Sequence, residues 1–311
     1  MRILVTGGLG FIGSNFITWM LENTDVEIIN VDRGDYCSNI KNVPPNSRYT
    51  YVKGDITHEF HMKTIFDQYT PDIVVHYAAQ SHVDNSFGTP IQFTIDNVLG
   101  THVLLHASYE YGKLQKFIHI STDEVYGEVG MGETSTEKSL LNPTNPYAAS
   151  KAAAEFLVKS YGHSFNFPWI ITRCNNVFGP KQYPEKLIPS FINNIINKTP
   201  CRIHGLGETR RNFIYVDDVS AAVELMITQG KIGHTYNIGS KNEYSVNEIF
   251  DKLRNKIDKD ATFIHVQDRP FNDSRYCIDS SELRNLGWED NVSFEYGLAK
   301  TIDWYLTHRD W

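Results

Sequence analysis

Cysteine is scarce in this chain of 311 residues: Cys37, Cys174, Cys201 and Cys277 lie far apart, with no CxxC and no Cys/His cluster at zinc spacing. That argues against a disulfide scaffold and a structural metal, and it suits reduced thiols in a cytoplasmic setting. Long apolar runs are missing too. No segment approaches the roughly 18 apolar residues of a membrane span, and Met1 and Arg2 lead straight into Ile3-Leu4-Val5, so neither a membrane partner nor a leader is expected. Positive charge is not in excess. Lys plus Arg total 29 against 37 for Asp plus Glu, a net charge of -8, which removes the basic footprint a nucleic-acid partner needs. Repeats and low-complexity segments are absent as well. Histidine is plentiful at 12 residues, but His58 and His61 sit in a polar turn and His76 and His82 flank a loop, without carboxylates at ligand spacing, so no metal is expected.

What is present is enough apolar sequence, 41%, to bury a full core. Short apolar runs at residues 3–6, 26–31, 73–76, 117–120 and 169–172 alternate with longer amphipathic ones, the first at 11–22. This rhythm predicts an α/β fold, a doubly wound parallel sheet of Rossmann type. After about Cys174 the rhythm loosens, with Pro180, Pro184, Pro189 and Pro200 breaking the chain before helical stretches at 246–257 and 296–306. A smaller mixed α/β unit is expected there, giving domains at 1–174 and 175–311 with the chain crossing between them. Trp19, Trp288, Trp304 and Trp311 read as packing residues or C-terminal anchors.

Gly7, Gly10 and Gly13 follow the first strand at G-x-x-G-x-x-G spacing. Missing Cβ atoms let backbone approach a pyrophosphate, and a helix N-terminus offers it free N–H groups and a positive dipole end. Such turns also serve only to tighten a strand-to-helix corner, so context decides. Asp32 ends the second strand 19 residues after Gly13, where a carboxylate accepts ribose hydroxyls and repels a 2′-phosphate, favouring NAD over NADP. Arg33 beside it could instead welcome that phosphate. Asp55, after Gly54, suits either an adenine contact or a turn aspartate.

Tyr147 and Lys151 stand four apart in an alanine-rich helical run, on one helix face. A cation beside a phenol favours phenolate, the form that acts as a base, and the same Lys could hold a ribose. The bland alternative is an exposed pair. Thr122-Asp123-Glu124 follows the strand at 117–120, at the carboxyl edge where α/β sheets bind ligands. Adjacent acids also suit a helix N-terminus. With one protonated and the other ionised, however, the pair could donate and accept a proton on one substrate, and dehydration needs both acts.

Together these residues resemble the extended short-chain dehydrogenase/reductases and, within them, the dTDP- and UDP-glucose 4,6-dehydratases. The likeness runs nearly end to end, through residues 76–84, Asn175-Asn176-Val177-Phe178-Gly179-Pro180, residues 184–189, residues 211–218 and Tyr236-Asn237-Ile238-Gly239. The Asp123-Glu124 couple separates it from related 4-epimerases, the runner-up, and the intact constellation separates it from a non-catalytic NAD-binding protein. The resemblance implies bound NAD held by Gly7, Gly10, Phe11, Ile12, Gly13, Asp32, Arg33, Asp55, Ile56, Ala78, Ala79, Tyr147, Lys151 and Asn176. It implies a nucleotide-sugar substrate held by Ser81, Thr122, Asn175, Lys186, Leu187, Arg211, Asn242 and Arg275. Tyr147 would remove the sugar 4-OH proton, Thr122 bind that oxygen, Glu124 take the C5 proton, and Asp123 protonate the departing 6-OH. Phe271, Asn272 and Ser274 depart from the bacterial dTDP-sugar pattern, and with Asp35-Tyr36-Cys37 and Asn85-Ser86-Phe87-Gly88 they lean toward UDP-glucose. A homodimer is expected, through the helical segment at 98–106 and residues 152–158.

Overall fold

The computed structural model describes residues 1–309, so Trp311 lies outside the described residues. The chain opens as β1 (Arg2–Thr6), α1 (Phe11–Asn23), β2 (Glu27–Asp32), β3 (Tyr49–Lys53), α2 (Glu59–Tyr69) and β4 (Ile73–His76). A long helical stretch follows: α3 (Val83–Gly88), α4 (Pro90–Phe93), a π-helical turn (Thr94–Leu99) and α5 (Gly100–Tyr111). Next come β5 (Lys116–Thr122), α6 (Pro146–Phe165) and β6 (Trp169–Cys174). The remainder contains β7 (Asn176–Phe178), α7 (Leu187–Ile196), β8 (Cys201–His204), β9 (Arg210–Tyr215), α8 (Val216–Thr228) and β10 (His234–Ile238). It ends with β11 (Glu243–Ser245), α9 (Val246–Ile257), β12 (Phe263–Val266), α10 (Ser281–Arg284) and α11 (Phe294–Thr307).

Seven strands form one parallel sheet in the order β10-β6-β5-β4-β1-β2-β3. Its central strands are apolar on both sides, as at Ile3-Leu4-Val5 and Ile73-Val74-Val75, because helices cover both faces. Phe16, Ile17 and Met20 of α1 meet Val219, Val223 and Met226 of α8 over one face. Met62 and Phe66 of α2, Leu104 and Leu105 of α5 and Val158 of α6 cover the other. This is an α/β fold of Rossmann type. The strand order reverses between β1 and β4, which opens a crevice at the carboxyl ends of the strands.

A separate core, with Phe178, Phe191, Phe213, Phe250 and Phe294, lies among β7, β9, α7, α9 and α11. Two small sheets, β11-β9-β7 and β12-β8, support it. The crossing back occurs at β10, which leaves this part of the chain to pair with β6. Helix α9 starts where a capping box fixes it: Ser245 Oγ accepts from Glu248 N at 3.1 Å, and Glu248 Oε2 accepts from Ser245 N at 2.7 Å. Among the described residues no helix is long and apolar enough to cross a membrane.

Candidate active site

A solvent-open cleft of about 1640 Å³ runs along the carboxyl edge of the sheet. Gly7, Gly10, Phe11, Ile12, Gly13, Asp32, Arg33, Asp55, Ile56, Ala78, Ala79, Ser81, Thr122, Asp123, Glu124, Tyr147, Lys151, Asn175, Asn176 and Lys186 all line it. Leu187, Arg211, Asn242 and Arg275 are not among its lining residues.

At one end the glycine turn fits a pyrophosphate. Gly7 sits at φ +74, and a Cβ there would stand 2.6 Å from Ala78 N, so the turn packs on the following strand's exit as only glycine allows. Gly10 caps α1 with no side-chain hydrogen bond, leaving first-turn N–H groups without a side-chain acceptor. Asp32 is fixed at the end of β2: its Oδ2 accepts from Leu9 N at 3.0 Å and its Oδ1 from Gly34 N at 2.8 Å. Asp55 adopts the turn-aspartate geometry, with Oδ1 accepting from Thr57 N at 2.9 Å and Thr57 Oγ1 at 2.8 Å. Burial raises its carboxyl, but those bonds and Arg33 outweigh it and hold it below its ordinary range. Arg33 forms ion pairs with Asp35, Asp55 and Asp96.

At the other end β5 delivers Thr122, Asp123 and Glu124 as it breaks into a short 3-10 turn, with Thr122 as N-cap accepting from Glu124 N at 3.3 Å. Helix α6 begins at Pro146 behind the cap Asn145, whose Oδ1 accepts from Ala148 N at 2.8 Å, and this aims Tyr147 at the acids. Asn145 Nδ2 also donates to Glu124 Oε2 at 3.2 Å. The cap position before Pro146 was the available signal for this residue, which the motif reading passed over. Asp123 is 2% exposed, and Asn175 Nδ2 donates to its Oδ2 at 2.8 Å. Burial pushes its carboxyl up to about 7, assisted by the neighbouring charge of Glu124. Burial raises Glu124 as well, while Arg211, Asn145, Lys186 and Arg269 favour its ionised form.

Lys151 departs from expectation. Its Nζ donates to the Ile120 carbonyl at 2.6 Å, and burial lowers it to about 8. Tyr147 is raised well above the ordinary phenol range, first by burial and then by Glu124, with a Thr122 hydrogen bond pulling the other way. In the protein alone the phenolate is therefore not favoured, because burial and then the charges of Glu124 and Asp123 oppose it. The buried Ser121 hydroxyl has no partner among the described residues and faces the same cleft.

The remaining substrate candidates split. Lys186 Nζ donates to Ser81 O at 2.6 Å at the cleft wall. Arg211 stacks 4.5 Å over the Tyr276 ring and donates to Asn272 Oδ1 at 3.3 Å, close enough for its charge to act on Asp123 and Glu124. Asn242 N donates to Ser240 Oγ at 2.9 Å. Leu187 starts α7 and packs against the separate phenylalanine-rich core. Arg275, implied as a substrate contact, makes its bonds within the protein: Nε meets Glu243 Oε1 at 2.5 Å and Nη1 donates to the Gly130 and Glu133 carbonyls. Away from the cleft, Glu59, His106 and Glu110 gather at metal-binding distances, with Lys63 Nζ 2.8 Å from each carboxylate.

A glycine turn at the start of a Rossmann sheet, with Tyr147 and Lys151 one helical turn apart and Thr122 bonded to the phenol, defines an extended short-chain dehydrogenase/reductase. More narrowly, the chain belongs to the family described as GDP-mannose 4,6 dehydratase, which it matches over residues 4–301. It is 45% identical to the dTDP-D-glucose 4,6-dehydratase of Mus musculus, over 98% of this chain and 88% of that protein. It is 44% identical to a trifunctional UDP-glucose 4,6-dehydratase/UDP-4-keto-6-deoxy-D-glucose 3,5-epimerase/UDP-4-keto-L-rhamnose-reductase of Arabidopsis thaliana, over 100% of this chain and 48% of that protein. Among solved structures, the dTDP-glucose 4,6-dehydratase of Streptomyces venezuelae, with NAD bound, superposes with a TM-score of 0.95 at 37% identity, covering 100% of this chain and 98% of that one.

Proposed function

We propose that this chain is a nucleoside-diphosphate-glucose 4,6-dehydratase acting on UDP-glucose or dTDP-glucose with bound NAD. The observation that carries it is the buried Asp123–Glu124 pair beside Tyr147, Asp123 raised to about 7 and Glu124 raised by burial but opposed by Arg211, Asn145 and Lys186. That is an acid and a base poised for one elimination. Gly7, Gly10 and Gly13 would hold the pyrophosphate of NAD, which when bound would supply a hydride acceptor for C4 and a donor for C6. Tyr147 takes the 4-OH proton, with Thr122 bonded to the phenol and available to the sugar oxygen. Once C4 is a ketone, the C5 proton is acidic; Glu124 removes it, Asp123 protonates the 6-OH as it leaves as water, and Glu124 gives its proton back to C5 as the hydride returns to C6. Asn175 and Asn145 hold the two carboxyls in place. Asp32 favours NAD over NADP. By this reading 1–174 serves NAD and also brings Ser81, Thr122, Asp123 and Glu124 to the sugar, while 175–311, apart from β10, serves the sugar nucleotide and brings Asn176 to NAD.

The base of the sugar nucleotide is the finer question. Relatives named for dTDP-glucose and for UDP-glucose match almost equally, at 45% and 44%, so identity does not separate them. Incubation with each substrate side by side decides it by mass. A product lighter by one water supports dehydration, whereas an isomer of unchanged mass overturns it in favour of a 4-epimerase.

The same reading includes a homodimer. Ile91, Ile95 and Leu99 recur four apart on the 90–111 helical stretch at 74%, 39% and 48% exposure, and Phe156 of α6 is 60% exposed. Such a face suits a second copy. Leu99→Asp with Phe156→Asp is expected to halve the mass measured by light scattering, and an unchanged mass would reject this interface. The four thiols are unpaired, which suits the cytoplasm.

A further inference from the structure

Arg33 stands next to Asp32, where a free guanidinium would invite a 2′-phosphate, yet none of its N–H groups is free. Nη1 and Nη2 make a two-pronged contact with Asp96, to Oδ1 at 2.8 Å and Oδ2 at 2.7 Å. Nε and Nη2 reach Asp35 Oδ2 at 3.1 and 2.5 Å, and Nη1 reaches Asp55 Oδ2 at 3.3 Å. A guanidinium has five N–H donors, and five contacts to carboxylates use them up. The cage is itself held. Asp96, 5% exposed in the π-helical turn, accepts from Gln80 Nε2 and Gln92 Nε2, each at 3.0 Å, and Gln80 Nε2 also donates to Asp35 Oδ2 at 3.0 Å. Arg33, Asp35, Asp55, Asp96 and Gln80 all line the cleft.

We propose that Asp96 and Asp35 are cofactor-specificity residues: by saturating Arg33 they leave it nothing to offer a 2′-phosphate, and the cleft takes only a dinucleotide whose adenosine ribose carries free hydroxyls. This rests on the reading that the cleft binds a nicotinamide dinucleotide. It adds a second safeguard beyond Asp32. A 2′-phosphate brings close to two further negative charges to a place where Asp32, Asp35 and Asp55 already outnumber one neutralised cation. Accepting it would mean pulling Arg33 off Asp96 and leaving a buried carboxylate unpaired.

The test is a binding cycle on the full chain, freed of dinucleotide, with NADH and NADPH affinities read by nicotinamide fluorescence. Asp32→Ala alone is expected to leave NADH strongly preferred, since Arg33 is still caged. Adding Asp96→Asn should raise relative NADPH affinity by about tenfold or more, the worth of one recovered charge-assisted contact, and Arg33→Met in that background should abolish the gain. An NADPH to NADH ratio that does not move on adding Asp96→Asn, or a gain that survives Arg33→Met, overturns the proposal. Should the buried variant fail to fold, Asp35→Asn at the outer side of the cage carries the same test with the same two outcomes. If NADH does not bind the unaltered chain, the dinucleotide reading itself falls; if NADH binds and only the ratio is unmoved, the specificity device alone is wrong.

Discussion

Both ends of the cleft are lined with carboxylates, and they behave in opposite ways. Around Arg33, Asp35 and Asp55 are held below their ordinary range despite burial, Asp35 first by direct bonds from the guanidinium at 2.5 Å and Asp55 first by Thr57 and then by the guanidinium at 3.3 Å. Below α6, Asp123 and Glu124 are raised, because their direct partners are the neutral amides of Asn175 and Asn145 while Arg211 and Lys186 act only through their fields. Residue type is the same; the presence of a touching cation decides whether burial or pairing wins. One set is ionised at neutral pH and builds a wall. In the other, Asp123 is raised to about 7 and Glu124 is raised by burial, which suits groups that move protons.

The largest effect expected from breaking the contrast is at Glu124. Glu124→Gln keeps the shape and removes the base, so turnover should fall by roughly 10²–10⁴-fold, the usual worth of a positioned base. Oxidation at C4 should survive in a single turnover, seen as the near-ultraviolet absorbance of reduced nicotinamide. Normal turnover in this variant would refute the assignment.

Asp123 should show its character in stability. Its carboxyl is raised from the ordinary 3.8 to about 7, so folding penalises the ionised form, fully above 7, partly between the two values and not at all below 3.8. Asp123→Asn removes that penalty. At about 1.4 kcal/mol per pKa unit the gain is at most about 4 kcal/mol in alkaline buffer, shrinking to nothing as pH falls below the ordinary value. Equal changes in melting temperature across that pH window would show that Asp123 is not raised. Smaller again is the effect on rate: as the acid, Asp123 must be protonated, so dehydration should decline about tenfold per pH unit above about 7. An alkaline limb that persists unchanged in Asp123→Asn would assign it to Lys151, lowered to about 8.

Much of this was legible in the sequence because it depends on local rules. Apolar runs such as Ile3-Leu4-Val5 could only be buried strands, and Val246–Ile257 was bounded by residues that cap it. The glycine turn, Thr122-Asp123-Glu124 and the Tyr147–Lys151 spacing carry their chemistry in their order. What escaped depends on contacts between distant segments. Asp96 reads as one more polar position in a helical stretch until the fold lays it 63 residues from its partner Arg33 in sequence but 2.7 Å in space. The sequence names Arg275 as a substrate candidate, and only tertiary packing sets Glu243 against it. The direction of Lys151 likewise follows from the Ile120 carbonyl, which no helical spacing reveals.

The smallest effect belongs to the wall, and its sign completes the contrast. Asp35 has its carboxyl held below its ordinary range by Arg33, so the pair stabilises the fold above the ordinary carboxyl pKa and the contribution is lost as pH falls through the lowered value. Its side chain is 34% exposed, so solvent screens the pair, and Asp35→Asn should cost no more than about 1 kcal/mol at neutral pH. Denaturant titration should show the loss fading in acid, the reverse of the pattern for Asp123→Asn, and weakening with added salt because the pair is partly exposed. A stabilising Asp35→Asn, or a loss that persists in acid, would mean that the carboxylates at the two ends do not differ in kind.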